Sequence, residues 1–143
     1  MQTTVAGSYP KIPNRPRPAR LRQAIARLDR GEITPEELAQ VQDEVTIEVI
    51  REQLEAGLDL IADGQVRWDD DQTYVARGLE GFEIGGLVRY FDTNTYYRQP
   101  TVTGPVGWRK PVLARDYEFA AAHSAKPVKA ILTGPYTLAA LST

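Results

Sequence analysis

Cysteine is absent from the 143-residue sequence, and histidine occurs once, at His123. Without cysteine there is no disulfide framework, no thiolate nucleophile and no sulfur ligand for a metal. A long apolar run is also missing: nothing approaches the roughly 20 residues that span a bilayer. The amino-terminal residues carry no signal-peptide pattern, so a cytoplasmic protein with no membrane partner is expected. Neither sign of charge dominates, since 17 Lys plus Arg stand against 19 Asp plus Glu, a net −2. That balance provides no phosphate-tracking surface, and no nucleic-acid partner is expected. What remains is 42% hydrophobic and 25% charged, an ordinary composition for one globular core.

The chain alternates strand-like and helix-like segments. Thr3–Gly7 is a short β-prone run closed by Gly7-Ser8. Pro10, Pro13, Pro16 and Pro18 then exclude helix and predict an extended loop. Leu21, Ala24, Ile25 and Leu28 fall on one helical stripe, with Gly31 as its stop. Thr34-Pro35-Glu36-Glu37 combines a capping hydroxyl, a proline at the first helical position and a glutamate three residues past the cap. It predicts a helix running to Ala56. Leu38, Val41, Val45 and Val49 form one apolar stripe of that helix, and Ile47, Ile50 and Leu54 form another on the opposite side. A helix apolar on two sides is expected to be sandwiched.

Leu58–Ala62 reads as a buried strand and Asp70–Leu79 as a short helix. Gly85-Gly86 breaks the chain before a strand-like Leu87–Phe91. Tyr96–Gly104 is extended and can pair with the run before it, Ala114–His123 is helical, Val128–Thr133 is a third clear strand, and Tyr136–Ser142 is a last helix. His123, in a helix, is expected at the surface and not as a metal ligand. The alternation predicts an α/β fold with a parallel sheet and right-handed crossovers. The strands end in Gly7-Ser8, in Asp63-Gly64-Gln65 followed by Arg67, Trp68, Asp69 and Asp70, and in Gly134-Pro135. Polar groups at the carboxyl ends of parallel strands are where (β/α) barrels place their chemistry. A full barrel typically needs about 250 residues, so three or four strand–helix units are expected here, in a single domain over residues 1–143.

Four motifs occur in order: Ala6-Gly7-Ser8-Tyr9-Pro10; Asp63-Gly64-Gln65 with Arg67 and Asp70; Tyr96-Tyr97-Arg98-Gln99-Pro100; and Leu132-Thr133-Gly134-Pro135-Tyr136-Thr137. As an ordered set they resemble the catalytic barrel of cobalamin-independent methionine synthase, in particular its short single-domain form. The resemblance implies the amino-terminal part of a partial (β/α)₈ TIM barrel and a zinc-dependent methyl transfer onto homocysteine. It places Ala6, Gly7 and Ser8 at the amino-acid end of homocysteine, where a glycine admits a carboxylate close to the backbone and a serine adds a hydrogen bond. Where the family has Gly-Glu, facing the substrate ammonium, this chain has Gly64-Gln65. The neighbouring Asp63 then becomes the carboxylate available for that charge. Arg67 and Asp70 read as an internal ion pair fixing the loop. Thr95 and Tyr96 fall on the methyl-donor side, the donor being a folate or a corrinoid. Leu141 stands where long, folate-using members carry a tryptophan.

The resemblance further implies that zinc is held by a histidine, two cysteines and a glutamate from later strands of the complete barrel. None of those positions falls in this chain, so methyl transfer by the chain alone is not expected. Two other readings fit the residues. One is a binding or assembly module that pairs through an open sheet edge with a second copy or a complementary chain. The other is an enzyme on a related barrel of the uroporphyrinogen decarboxylase type.

Overall fold

The capping signal at Thr34 is satisfied in both directions. In the computed structural model of the chain, which describes residues 1–11 and 19–143, Glu37 N–H donates to Thr34 Oγ1 at 3.2 Å and Thr34 N–H donates to Glu37 Oε2 at 2.7 Å. Helix α2 (Pro35–Glu55) starts there, after α1 (Arg20–Asp29). The extended loop expected around Pro13, Pro16 and Pro18 lies outside the described residues.

The chain divides into two compact units, Met1–Val66 with Asp116–Ala130 and Arg67–Arg115 with Ile131–Thr143. In the first unit α2 is sandwiched, as its two stripes predict. Leu38, Val45 and Val49 pack with Leu21 and Ile25 of α1, and with Tyr9 and Val66. On the other side Ile50 and Leu54 pack with Leu58, Ile61, Val128 and Ala120, the last from α4 (Ala114–Ala122). Each fully buried side chain of this size contributes roughly 1.5–3 kcal/mol relative to exposure. Arg20 of α1 pairs with Glu44 and Glu48 of α2 on the solvent side.

The three predicted strands of this unit are reduced to single parallel bridges, Thr4 to Leu60 and Ile61 to Val128. Their order is that of a parallel sheet, but no ladder extends beyond them. The reason is competition for backbone groups. The N–H groups of Asp59 and Leu60 both donate to Thr3 C=O at 3.1 Å. The next parallel rung would join Ala62 N–H to Val5 C=O. Instead Gln53, buried on α2, accepts from Ala62 N–H at 2.9 Å and donates to Ala62 C=O at 2.8 Å. The Val5 carbonyl is taken by Lys129 Nζ at 2.5 Å. At the start of this register the Asp59 carboxylate accepts from Thr3 Oγ1 and Thr3 N–H, both at 2.8 Å. The Thr3 hydroxyl, then its N–H, hold the Asp59 carboxyl below its ordinary pKa.

In the second unit the two consecutive extended runs pair with each other, so the sheet there is antiparallel where the strand–helix alternation predicts a parallel one. It is a hairpin of β1 (Leu79–Arg89) and β2 (Tyr96–Trp108). The first strand begins eight residues earlier than the Leu87 start predicted, because the glycines read as breaks serve as irregularities inside it. The register shifts between Glu80 and Phe82 and again between Ile84 and Leu87. At the first shift Gly81 has φ +80°, and a Cβ there would lie 2.4 Å from Pro105 O. Only glycine admits that approach. Helix α3 (Thr73–Ala76) is the short helix expected within Asp70–Leu79. With Trp68 and Leu138 it builds the core of this unit, against Leu79, Phe82 and Ile84 of β1. Leu138 belongs to the last helix, α5 (Pro135–Ala140). The architecture is therefore α/β, and among the described residues no helix is long and apolar enough to cross a membrane.

Candidate functional site

In the first unit the two strand-end loops meet. Tyr9 N–H donates to Gly64 C=O at 3.0 Å, which brings the end of the Ala6-Gly7-Ser8 loop to the Asp63-Gly64-Gln65 turn. Ala6, Gly7 and Ser8 are exposed, whereas Asp63 and Gln65 are buried. Gly7 has φ +77° and open space around the position of a Cβ, so its backbone is accessible to a ligand.

The turn is built by its own residues. Asp63 Oδ1 accepts from Gln65 N–H at 3.1 Å, the two-residue reach that makes aspartate a turn former. Gly64 has φ +71° and Gln65 has φ +51°. For a glutamine the left-handed region is uncommon, and such backbone strain concentrates at functional sites. Gly64 is further fixed by crowding, since a Cβ there would lie 2.6 Å from Val49 Cγ1 and 3.3 Å from Tyr9 Cδ2. The result is a turn with a buried carboxylate and a buried carboxamide, its backbone hydrogen-bonded at Gly64 to the end of an exposed glycine–serine loop. That set suits a small ligand bearing an ammonium and a carboxylate.

Asp70 has a different role from the ion pair expected with Arg67. Its carboxylate accepts from Gln72 N–H at 2.9 Å, from Thr73 N–H at 2.7 Å and Thr73 Oγ1 at 2.6 Å, and from Arg98 N–H at 3.0 Å. It thus caps α3 and ties that helix to β2, because a short carboxylate near a helix start satisfies free N–H groups. The ion pair next to it joins Arg77 to Asp69 at 2.5 Å.

Thr95 and Tyr96, expected on the methyl-donor side, lie in the second unit, at the hairpin tip. Thr95 C=O accepts from Tyr90 N–H at 2.8 Å, and Tyr96 pairs with Arg89 across the strands. Tyr96 is 52% exposed, with its ring available for stacking, while Tyr97 is buried. Tyr97 donates to Leu141 C=O at 3.2 Å and meets Tyr90 edge-on, so it takes the packing role. The Thr133-Gly134-Pro135-Tyr136 motif opens α5, with Thr133 Oγ1 donating to Asp71 C=O at 2.5 Å and Tyr136 exposed. A separate apolar groove of about 470 Å³ in this unit is lined by residues including Phe82, Val102, Val106 and Ala139.

Zinc does not fit the described residues. Among them no three His, Cys, Asp or Glu converge. His123 follows α4 on the surface, where its Nδ1 lies 2.8 Å from Phe119 O.

Sequence reasoning missed Gln53 and Lys129, and it noted Trp68 without giving it a role. Gln53 and Lys129 fix the strand ends of the first unit. Trp68 stacks on Tyr74 with ring centroids 5.2 Å apart, and its buried indole N–H has no hydrogen-bond partner among the described residues. For Gln53, a polar residue between two apolar stripes of one helix was the available signal. Lys129, a charged residue inside an otherwise apolar strand, gave a similar one.

Comparisons with known proteins agree with the motif reading. The family model described as the catalytic domain of cobalamin-independent synthase matches residues 1–143. A methionine synthase from Sulfurisphaera tokodaii is 39% identical over 140 residues, 97% of this chain and 39% of that protein. A methionine synthase from Sulfolobus acidocaldarius is 36% identical over 139 residues, 96% of this chain and 39% of that protein. The chain thus spans about two-fifths of the length of these curated relatives. Among solved structures, a B12-independent methionine synthase from a Shewanella species, in complex with selenomethionine, superposes with a TM-score of 0.67 at 27% identity. That match covers 77% of this chain and 33% of the other. A putative vitamin-B12 independent methionine synthase from Listeria monocytogenes shares the fold, with a TM-score of 0.59 at 22% identity over 87% of this chain and 32% of that one. The chain belongs to the cobalamin-independent methionine synthase catalytic-domain family.

Proposed function

We propose that residues 1–143 are the amino-terminal part, as one segment, of the (β/α)₈ barrel of a cytoplasmic, zinc-dependent methyltransferase that makes methionine from homocysteine. The segment supplies the first three to four strand–helix units. Family membership and the parallel order of the Thr4, Leu60–Ile61 and Val128 bridges support this reading. The observation that carries it is the Tyr9–Gly64 hydrogen bond, which gathers the glycine–serine loop and the acidic turn at one strand end.

In this reading Ala6, Gly7 and Ser8 receive the carboxylate end of homocysteine, and Asp63 with Gln65 faces its ammonium. Gln65 orients through neutral hydrogen bonds, and Asp63 carries the charge that roughly doubles the strength of such bonds. Thr95 and Tyr96 face a folate or corrinoid methyl donor. Zinc, which would be held by ligands on polypeptide outside this chain, would supply thiolate formation near neutral pH. The residues described here bind and orient the amino acid.

The test is Asp63→Asn. The amide keeps the Oδ1 acceptor for Gln65 N–H and replaces the other carboxylate oxygen by a neutral NH2. With the chain combined with polypeptide covering the rest of the barrel, calorimetric titration of L-homocysteine is expected to show binding weakened about tenfold or more by this change, the size of one charge-assisted bond. Equal affinity in the two forms would refute the role of Asp63 and the pocket with it.

The apolar groove beside β2 favours a second reading, a binding module without its own catalytic centre that associates with a second copy or a complementary chain. A stable dimer of the isolated chain in a size measurement would support it.

A further inference from the structure

Resting on the pocket proposed above, we propose that Lys129 is its positioning residue: the Lys129 ammonium grips the Val5 carbonyl and thereby holds the Ala6-Gly7-Ser8 loop over the Gly64–Gln65 turn. Three observations carry this. First, the normal anchor of that segment is missing, because both backbone groups of Ala62 are taken by the Gln53 amide. Second, among the described residues the bond from Lys129 Nζ to Val5 O, at 2.5 Å, is the single side-chain hydrogen bond to any of residues 5–8, and it lies beyond the Thr4–Leu60 bridge. Third, the base of Lys129 is itself fixed, since Lys129 N–H donates to Ile61 C=O at 2.8 Å next to the Ile61–Val128 bridge. The side chain therefore links the third strand-like segment to the first, past the second.

The alternative anchors lie at the margins. Thr3 and Thr4 bond to Asp59 and Leu60 before the loop, and Tyr9 bonds to Gly64 after it. Between them a lysine suits the task better than a neutral donor. It reaches past one strand on a four-carbon stem, and an ammonium bound to a carbonyl makes a charge-assisted bond. It makes no ion pair among the described residues, and two of its three N–H donors remain beyond the Val5 contact. Its positive charge thus stands next to a loop proposed to receive a carboxylate.

Amide hydrogen exchange on the ligand-free chain tests the role separately from any binding of homocysteine. Lys129→Met keeps the stem and removes the donor; Lys129→Arg keeps a cationic donor. Lys126 makes the same kind of contact elsewhere, Nζ to Leu58 C=O at 2.6 Å, so Lys126→Met is the control. The Tyr9 amide is expected to exchange about tenfold faster in Lys129→Met, which corresponds to roughly 1.4 kcal/mol of loop opening. It should stay within about threefold of the unmodified chain in Lys129→Arg and in Lys126→Met. Unchanged exchange in Lys129→Met would overturn the proposal, as would equal acceleration by Lys126→Met. A Lys129→Met chain that fails to fold would overturn it too, since the role claimed is local. A pocket that fails to bind homocysteine while these exchange rates behave as stated would refute the function proposed above and leave the positioning role standing.

Discussion

Replacing Gln53 by leucine is expected to destabilise the chain by about 2–5 kcal/mol, measured as a lowered urea midpoint at unchanged slope. Leucine nearly matches glutamine in volume and suits an apolar site, so packing alone predicts a small change. The loss comes from Ala62, which is fully buried. Its N–H and C=O both depend on the Gln53 amide, and each buried backbone group left unpaired costs about 1–3 kcal/mol. The bond from Gln53 Nε2 to Val49 C=O at 3.2 Å is secondary, because that carbonyl lies inside a helix. A midpoint shift no larger than that of an exposed substitution would show that the first strand-like segment can shift and pair with Ala62 directly.

Gly64→Ala is expected to cost about 2–4 kcal/mol and to weaken any amino-acid binding as well. Two effects add. Alanine at φ +71° sits in the left-handed region, where a Cβ costs about 1–2 kcal/mol. The same Cβ would lie 2.6 Å from Val49 Cγ1, and overpacking a buried contact costs about 1–3 kcal/mol. Val49 cannot swing away easily, because it is β-branched, buried and packed against Leu21 and Val66. Movement of the turn would relieve the clash but would break the Tyr9–Gly64 hydrogen bond. The variant is thus expected to lose both stability and Tyr9 amide protection. Loss of stability with Tyr9 protection intact would mean that the two loops are held together by something else.

The helices were legible because their signals are local. The spacing of Leu21, Ala24, Ile25 and Leu28 marks α1, and Thr34 with Glu37 marks the start of α2 to the residue. The double stripe of α2 also translated directly into packing on two sides. The strands were legible only as positions. Their apolar character located the segments of Leu60–Ile61 and Val128, which the structure joins by the Thr4–Leu60 and Ile61–Val128 bridges. Whether a ladder grows from those bridges depends on competitors distant in sequence, here the Gln53 amide and the Lys129 ammonium. The pairing of the two extended runs of the hairpin was legible, but its reach back to Leu79 was not, for a related reason. Gly85 looks like a break in isolation, yet a Cβ there would lie 2.9 Å from Gln99 O, so the residue is glycine because two strands approach there. The burial of Tyr97 beside an exposed Tyr96 carries no local signal, since only the strand register exposes one and buries the other. For the site, the ordered motifs located the glycine–serine loop and the acidic turn. The residues that hold them in place carry no motif.

The proposed substrate pocket would take its metal-bearing wall from other polypeptide. The most direct measurement is methionine formation from L-homocysteine, with zinc and either a methylfolate or a methylcorrinoid. It is made on the chain alone and on the chain combined with the remainder of the Sulfurisphaera tokodaii methionine synthase. Product is expected only from the combination. Zinc-stimulated turnover by these 143 residues alone would contradict the account.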